Sequence, residues 1–232
     1  MSTDPQAHNP RERGPHPGLV ALVSLVLTVA GLVVSGAMSG GDALGSPFGS
    51  TADVVARVSG HHDAVRVASF FQLGSAVPLG IYAATVYARQ LRLGVRVPGP
   101  VIALVGGILA VVSLLVSAFA TYVESRPEVT TDAALTHALA FLAFVAGGPG
   151  YAVGLGLLLA GIAVPALVLR LVPRWLPVAG LVLAVLAELT WLSLLLDPLQ
   201  YLIPVARFLG GTWLVVVGFA LPRRRPPRPA RS

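Results

Sequence analysis

The sequence predicts an all-α, polytopic transmembrane helical bundle with six spans and both termini in the cytoplasm. Three observations predict this fold. Hydrophobic residues make up 55% of the 232 residues and charged residues only 11%, which is less than half of the usual share in a soluble domain. Six stretches are long and apolar enough to cross a bilayer, and the arginines gather at alternate ends of these stretches.

The six apolar stretches cover roughly 19–38, 67–88, 100–122, 150–169, 176–196 and 201–221. The first is longer than the apolar core of about 7–15 residues in a secretory signal, so we expect an uncleaved anchor. The chain is then divided into a disordered cytoplasmic arm (1–17), a six-span transmembrane domain (18–222) and an Arg/Pro-rich cytoplasmic tail (223–232).

The arginines predict the orientation of the spans. All 16 basic residues are arginine, and twelve of them lie on the side of the two termini: Arg11, Arg13, Arg89, Arg92, Arg96, Arg170, Arg174, Arg223, Arg224, Arg225, Arg228 and Arg231. Only Arg57, Arg66 and Arg126 lie on the opposite side. Because positive residues are retained in the cytoplasm, we expect both termini there, with the tail against anionic lipid.

Two segments extend beyond what a bilayer needs. Residues 51–66 place valines at helical spacing among charged residues, which predicts one amphipathic helix leading into span two from outside. Residues 133–146 with span four would form a helix of about 55 Å at 1.5 Å per residue, too long for a straight crossing. We therefore expect a break or kink in the motif that follows residue 146: Gly147, Gly148, Pro149 and Gly150.

Two ionisable residues lie within the last two spans. Glu188 and Arg207 are at equal depth on antiparallel neighbours, about 12–14 Å below the outer end at 1.5 Å per residue. A charge alone in hydrocarbon is costly, so we predict that the two side chains face one another as an ion pair. The pair is either an interhelix clamp that fixes register or one wall of a polar pocket, and the remaining alternative is that the two side chains have no facing partner.

His137 is a third candidate for the polar pocket. It precedes the Gly/Pro motif near the outer leaflet and could add a titratable group above the level of Glu188 and Arg207. The alternative is a histidine that bonds to the backbone of a neighbouring helix. The "GYAVG" segment at 150–154 has the spacing that lets helix backbones approach, which favours close packing within the bundle.

The composition also excludes several chemistries. The chain has no cysteine and no lysine, hence no thiol nucleophile, thiolate metal ligand or Schiff-base lysine. "HHD" at 61–63 contains metal-ligating residue types, but adjacent helical residues point about 100° apart, which favours a solvated helix face. We expect no catalytic residue, no cofactor, no metal site and no nucleic-acid partner.

The run "RLVPRWLPVAGLVLAVLAELTWLSLL" (170–195) followed by "LIPVARFLGGTWLVVVGFALP" (202–222) resembles the C-terminal third of a family of six-helix bacterial integral membrane proteins. This family is of actinobacterial type and is grouped as an uncharacterised domain of unknown function. "SAVPLGIYAATV" at 75–86 is similar to the same group. The resemblance implies a multi-pass protein of the bacterial cell (inner) membrane, and it implies no activity or ligand.

Two main functions remain open from the sequence, with an intramembrane enzyme as a third. The leading hypothesis is a small non-enzymatic membrane protein that binds or conducts a small solute or a proton through a polar pocket near the outer leaflet. The alternative is a structural or signalling partner protein in which Glu188 and Arg207 form only a clamp. A water-accessible cavity at the level of these residues favours the first, and a dry, packed bundle favours the second. The oligomeric state does not follow from the sequence.

Overall fold

The computed structural model describes residues 14–41 and 47–222. These residues form α-helices joined by short turns, and the two described ranges contain no β-strand. The α-helices are α1 (Pro17–Met38), α2 (Thr51–Gly60), α3 (His62–Arg92), α4 (Gly99–Glu124), α5 (Ala133–Val145), α6 (Tyr151–Val168), α7 (Trp175–Leu189) and α8 (Leu202–Ala220). A π-helical turn, Ala146–Gly150, joins α5 to α6, and two 3₁₀ turns, Thr190–Leu194 and Asp197–Tyr201, lie between α7 and α8.

The six predicted spans are confirmed. Six helical segments are long and apolar enough to cross a membrane: Pro17–Met38, His62–Arg92, Gly99–Glu124, Ala133–Val168, Trp175–Leu194 and Asp197–Ala220. The orientation of the termini stays a prediction. Most of the cytoplasmic arm and the whole of the tail at 223–232 lie outside the described residues.

The six spans pack as a closed ring of which α6 is a member. Successive neighbours are α1, α3, α4, α6, α7 and α8, and α8 returns to pack against α1. The helix α6 also contacts α8 across the ring, and its span is the most buried of the six. Leu155, Leu158, Leu159 and Ile162 of α6 have no exposed surface, so the hydrophobic core is built around this helix.

Glycines let α4 and α6 approach closely. A Cβ atom placed on Gly154 would lie 2.4 Å from the backbone nitrogen of Ala110, and one on Gly161 would lie 2.3 Å from that of Ala103. Both distances are far below a van der Waals contact, so any larger residue would push the helices apart. The predicted role of the "GYAVG" segment in packing within the bundle is confirmed at Gly154.

The predicted single amphipathic helix at 51–66 is wrong in one respect, because the chain turns at His61. This residue has φ −139° and ψ 39°, and it separates α2 from the start of α3. Ser50 caps α2 by accepting a hydrogen bond from the backbone N–H of Asp53 at 3.2 Å. The amphipathic pattern itself holds in α2, where Val54 and Val58 are buried and Asp53 and Ala56 are exposed.

The predicted interruption at Gly147–Gly150 takes the form of a π-helical turn. The backbone stays helical through Ala146–Gly150, so α5 and α6 continue one another instead of separating into two independent pieces. Proline lacks the N–H that a regular helix needs at this position, and a π turn accommodates the lost hydrogen bond. The helix α5 packs against α4 and α2.

Candidate functional site

Arg207 points from α8 into the bundle and reaches the π-helical turn. Its Nη2 donates a hydrogen bond to the carbonyl oxygen of Gly147. In a regular α-helix that oxygen would accept from the N–H of Tyr151, but this N–H donates to Ala146 and Gly148 instead. The Gly147 carbonyl therefore lacks its regular α-helical donor and accepts from α8.

The guanidinium of Arg207 also lies against an aromatic ring. Its Cζ is 4.7 Å from the centre of the Tyr151 ring, which is the geometry of a cation–π contact. Tyr151 is 8% exposed and is the first residue of α6. The same turn of helix therefore supplies both the carbonyl and the ring that hold Arg207.

A cavity of about 140 Å³ opens beside these two residues. Five helices contribute to its wall: Ser24, Thr28, Gly31, Leu32 and Ser35 of α1; Ala68, Gln72 and Ser75 of α3; Leu114 of α4; Tyr151 of α6; and Arg207 and Phe208 of α8. A smaller cavity of about 20 Å³ shares Ser24, Thr28, Tyr151 and Arg207 and extends toward Leu79 and Leu214. We refer to the larger of the two as the Arg207 cavity.

The hydroxyl groups of the Arg207 cavity have their hydrogens committed to the backbone. The donations are Ser24 to Ser75 O at 2.8 Å, Thr28 to Ser24 O at 3.0 Å, Ser35 to Gly31 O at 2.7 Å, and Ser75 to Gln72 O at 2.8 Å. Each hydroxyl oxygen keeps lone pairs that can accept a hydrogen bond. The α1 and α3 side of the cavity therefore presents hydrogen-bond acceptors.

Gln72 ties the cavity to the same π-helical region. Its Nε2 donates to the Ser117 hydroxyl at 2.8 Å, and that hydroxyl donates to the carbonyl of Ala143 at 2.7 Å. Ser117 is on α4 and Ala143 on α5, so this chain of hydrogen bonds joins three helices around the cavity. The bonds fix the side-chain amide of Gln72 and leave its Oε1 available as a further acceptor.

The predicted ion pair between Glu188 and Arg207 is wrong. The carboxyl of Glu188 lies against α6, where a Cβ atom on Gly156 would be 2.6 Å from Glu188 Oε1. That oxygen is buried and has no hydrogen-bond partner among the residues at 14–41 and 47–222. Gly156 and Tyr151 are five residues apart, or about 140° around the helix at 100° per residue. Glu188 and Arg207 thus contact different sides of α6.

His137 lies outside the Arg207 cavity. One ring nitrogen, Nδ1, is 2.8 Å from the hydroxyl of Thr51, and the other, Nε2, is 2.9 Å from the carbonyl oxygen of Pro47. Its ring is 5.0 Å from that of Phe141. These contacts correspond to the structural alternative, since His137 joins α5 to the segment that begins α2. Of the three predicted pocket residues, only Arg207 lines the cavity.

Sequence reasoning missed most of the lining residues, although α1 carries a signal. Ser24, Thr28, Gly31 and Ser35 recur at intervals of three and four residues, which places them on one face of the helix. Such a stripe of small and polar residues in a span predicts a helix interface or a cavity wall. Tyr151 carries no comparable signal, because aromatic residues are common near the ends of spans.

No family model, curated protein or solved structure matches this chain. The resemblance to the six-helix bacterial family therefore stays a prediction. Among the described residues, no group of three or more metal-ligating side chains converges, and this includes the "HHD" segment at 61–63. The fold and the cavity define a multi-pass α-helical membrane protein with a partly open cavity inside its bundle, where Arg207 and several hydroxyl side chains lie among apolar residues.

Proposed function

We propose that this protein is a non-enzymatic, multi-pass membrane protein that binds a small polar solute in the Arg207 cavity. The observation that carries the proposal is the cavity itself, which brings an arginine, a tyrosine and an amide together inside a bundle of apolar helices. Polar and ionisable groups are expensive at membrane depth and commonly mark ligand sites. A cavity lined by such groups is the feature expected of solute binding and not of a dry bundle.

Binding is favoured over open conduction by the packing beyond the two cavities. The smaller cavity ends near Leu79 and Leu214. Beyond these two residues, on the side of the bundle where the chain termini lie, the side chains are packed. Tyr82 and Val217 have no exposed surface, and the Tyr82 hydroxyl donates to the carbonyl of Leu214 at 3.2 Å. A ligand that enters the Arg207 cavity would therefore stop there unless the helices rearranged.

We also infer that the membrane is the bacterial cell membrane and that both termini are cytoplasmic. The distribution of the arginines supports the orientation, and the resemblance supports the location. On this orientation the cavity lies mainly in the outer half of the bundle, since α1 runs outward from Pro17 and lines the cavity from Ser24 to Ser35. The Arg/Pro-rich tail would then face anionic lipid on the cytoplasmic side.

A purely structural role has one observation in its favour. The hydrogen bond from Arg207 to the carbonyl of Gly147 joins α8 to the π-helical turn, so the arginine could act as a clamp without any ligand. In that case the cavity would be inaccessible to water. Access of water to the cavity therefore separates the two functions.

Cysteine labelling tests the proposal directly, because the natural chain has no cysteine. Thr28→Cys places a thiol in the cavity wall, whereas Thr212→Cys places one on the exposed outer face of α8. The two threonines are a matched pair, since each donates to the carbonyl four residues earlier. Only an ionised thiol reacts, and ionisation requires water.

We expect a water-soluble methanethiosulfonate reagent to modify Thr28→Cys and to leave Thr212→Cys unmodified within detergent or lipid. Glu128→Cys, in the exposed turn after α4, gives the labelling rate of a cysteine that is fully accessible to water. If Thr28→Cys is as unreactive as Thr212→Cys while Glu128→Cys reacts, the cavity is dry and solute binding is refuted.

A further inference from the structure

We infer that the ligand of the Arg207 cavity carries an oxyanion, a carboxylate or a phosphate, which binds to the Arg207 guanidinium. The inference rests on the proposed function and gives it a ligand class. It follows from three properties of the cavity: its uncompensated positive charge, its unused hydrogen-bond donors, and the acceptors that face these donors.

The charge of Arg207 has no counter-ion within the described part of the chain. The guanidinium forms no ion pair with any carboxylate there, and Glu188, the acid of the neighbouring helix α7, faces Gly156. Arginine cannot lose its proton in a protein, so the charge persists. A positive charge without a counter-ion in a low-dielectric cavity strongly favours a negative ligand and disfavours a cationic one.

The hydrogen bonds of Arg207 are also incomplete. A guanidinium offers five N–H donors, and one of them is used, in the bond from Nη2 to Gly147. The hydroxyl of Tyr151 donates to no residue in the ranges 14–41 and 47–222, and Tyr151 lines the same cavity. Two oxygens of a carboxylate or phosphate match the parallel N–H groups of a guanidinium, which a halide or a neutral solute does not.

The wall of the cavity opposite Arg207 restricts the chemical class of the ligand further. The hydroxyl oxygens of Ser24, Thr28 and Ser35 and the Oε1 of Gln72 are acceptors, so the end of the ligand away from Arg207 is expected to carry N–H or O–H groups. A cavity of about 140 Å³ is smaller than the pockets of roughly 300–1,000 Å³ that hold drug-sized molecules. A small hydroxy acid, amino acid or phosphate group fits both conditions.

The charge preference is measured with two reagents that differ in sign. Thr28→Cys is treated with a methanethiosulfonate that carries a sulfonate and with one of similar size that carries a trimethylammonium group. The ratio of the two rates is divided by the ratio at Glu128→Cys, which removes the intrinsic difference between the reagents. We expect the anionic reagent to be favoured at Thr28→Cys by about tenfold or more, since a charge within several Å of Arg207 is poorly screened.

The contribution of Arg207 is then isolated by substitution. Arg207→Gln is expected to abolish the preference, and Arg96→Gln, in the exposed turn between α3 and α4, is expected to keep it. If Arg207→Gln does not fold, Arg207→Lys retains the charge and the preference but loses the paired N–H groups. With Arg207 in place, equal normalised rates for the two reagents at Thr28→Cys would overturn the inference before Arg207 is substituted. A preference for the cationic reagent would overturn it as well.

Protection from labelling identifies the source of the oxyanion. The protein is kept in dodecyl maltoside, a detergent that carries no charged group, and Thr28→Cys is labelled with a methanethiosulfonate that is itself uncharged. We expect acetate, glycine or inorganic phosphate to slow this labelling, with chloride as the control. Slowing only after phosphatidylglycerol is added would assign the site to a lipid phosphate. No slowing by any of these anions, with Thr28→Cys reactive, would refute the oxyanion ligand and leave solute binding standing. An unreactive Thr28→Cys would refute solute binding itself.

Discussion

Replacing Glu188 by methionine should stabilise the protein, although removing a charge from a true ion pair would destabilise it. The Oε1 atom of Glu188 is buried against Gly156 and has no hydrogen-bond partner among the described residues. A buried polar group without a partner costs about 1–3 kcal/mol. Methionine has a similar length and no polar group, so it removes this cost. Because Glu188 is only partly buried, we expect the gain in stability to be at the lower end of the range, about 1 kcal/mol. For a chain of this size that corresponds to a rise in Tm of about 2–4 °C.

The assay is a thermal double-mutant cycle in detergent with Glu188→Met, Arg207→Met and the double variant. Because the two side chains contact different sides of α6, their effects should add to within about 0.5 kcal/mol. Glu188→Gln is the control, since it keeps a carbonyl oxygen at the same place and should give little gain. A fall in Tm for Glu188→Met, or a coupling above about 1 kcal/mol, would show that the charges do interact and that the separation seen here is mistaken.

Three further outcomes are expected. Gly154→Ala should lower stability by about 1–3 kcal/mol because its Cβ would overlap the backbone of α4, whereas Gly80→Ala, with its nearest neighbour at 3.6 Å, should be neutral or stabilising in thermal unfolding. Tyr151→Leu should cost about 1 kcal/mol more than Tyr151→Phe in the same assay, because only phenylalanine keeps a ring under Arg207. In intact cells an impermeant thiol reagent should label Glu128→Cys and not Gly94→Cys, and the reverse would overturn the orientation.

The spans were predictable because a bilayer imposes a simple rule. A helix must satisfy its own backbone hydrogen bonds and must be about 20 apolar residues long, so length and hydropathy suffice to find it. The helix α1 begins within two residues of its predicted start and ends at the predicted residue. The break at His61 was not predicted, although the preceding Gly60 is a common helix terminator.

The partner of Arg207 was not predictable in the same way. Depth in the membrane is set by the number of residues from the turn, and the sequence gives it directly. The direction of each side chain around its helix depends on how the helices rotate against one another, and this is decided by packing. Glu188 and Arg207 were predicted at equal depth, but Glu188 lies over Gly156 while Arg207 reaches the carbonyl of Gly147, nine residues earlier and roughly 13 Å away along the helix at 1.5 Å per residue.

The π-helical turn explains why an arginine is tolerated without an acid. In a regular helix the carbonyl of Gly147 would already accept from the N–H four residues later. In the π turn Ala146–Gly150 the N–H of Tyr151 donates elsewhere and the oxygen of Gly147 accepts from Arg207, while Tyr151 supplies a ring for the guanidinium. One carbonyl and one ring hold the side chain in place but carry no full negative charge. The charge of Arg207 therefore stays available to whatever anion enters the cavity, and the position of the guanidinium is fixed before it arrives.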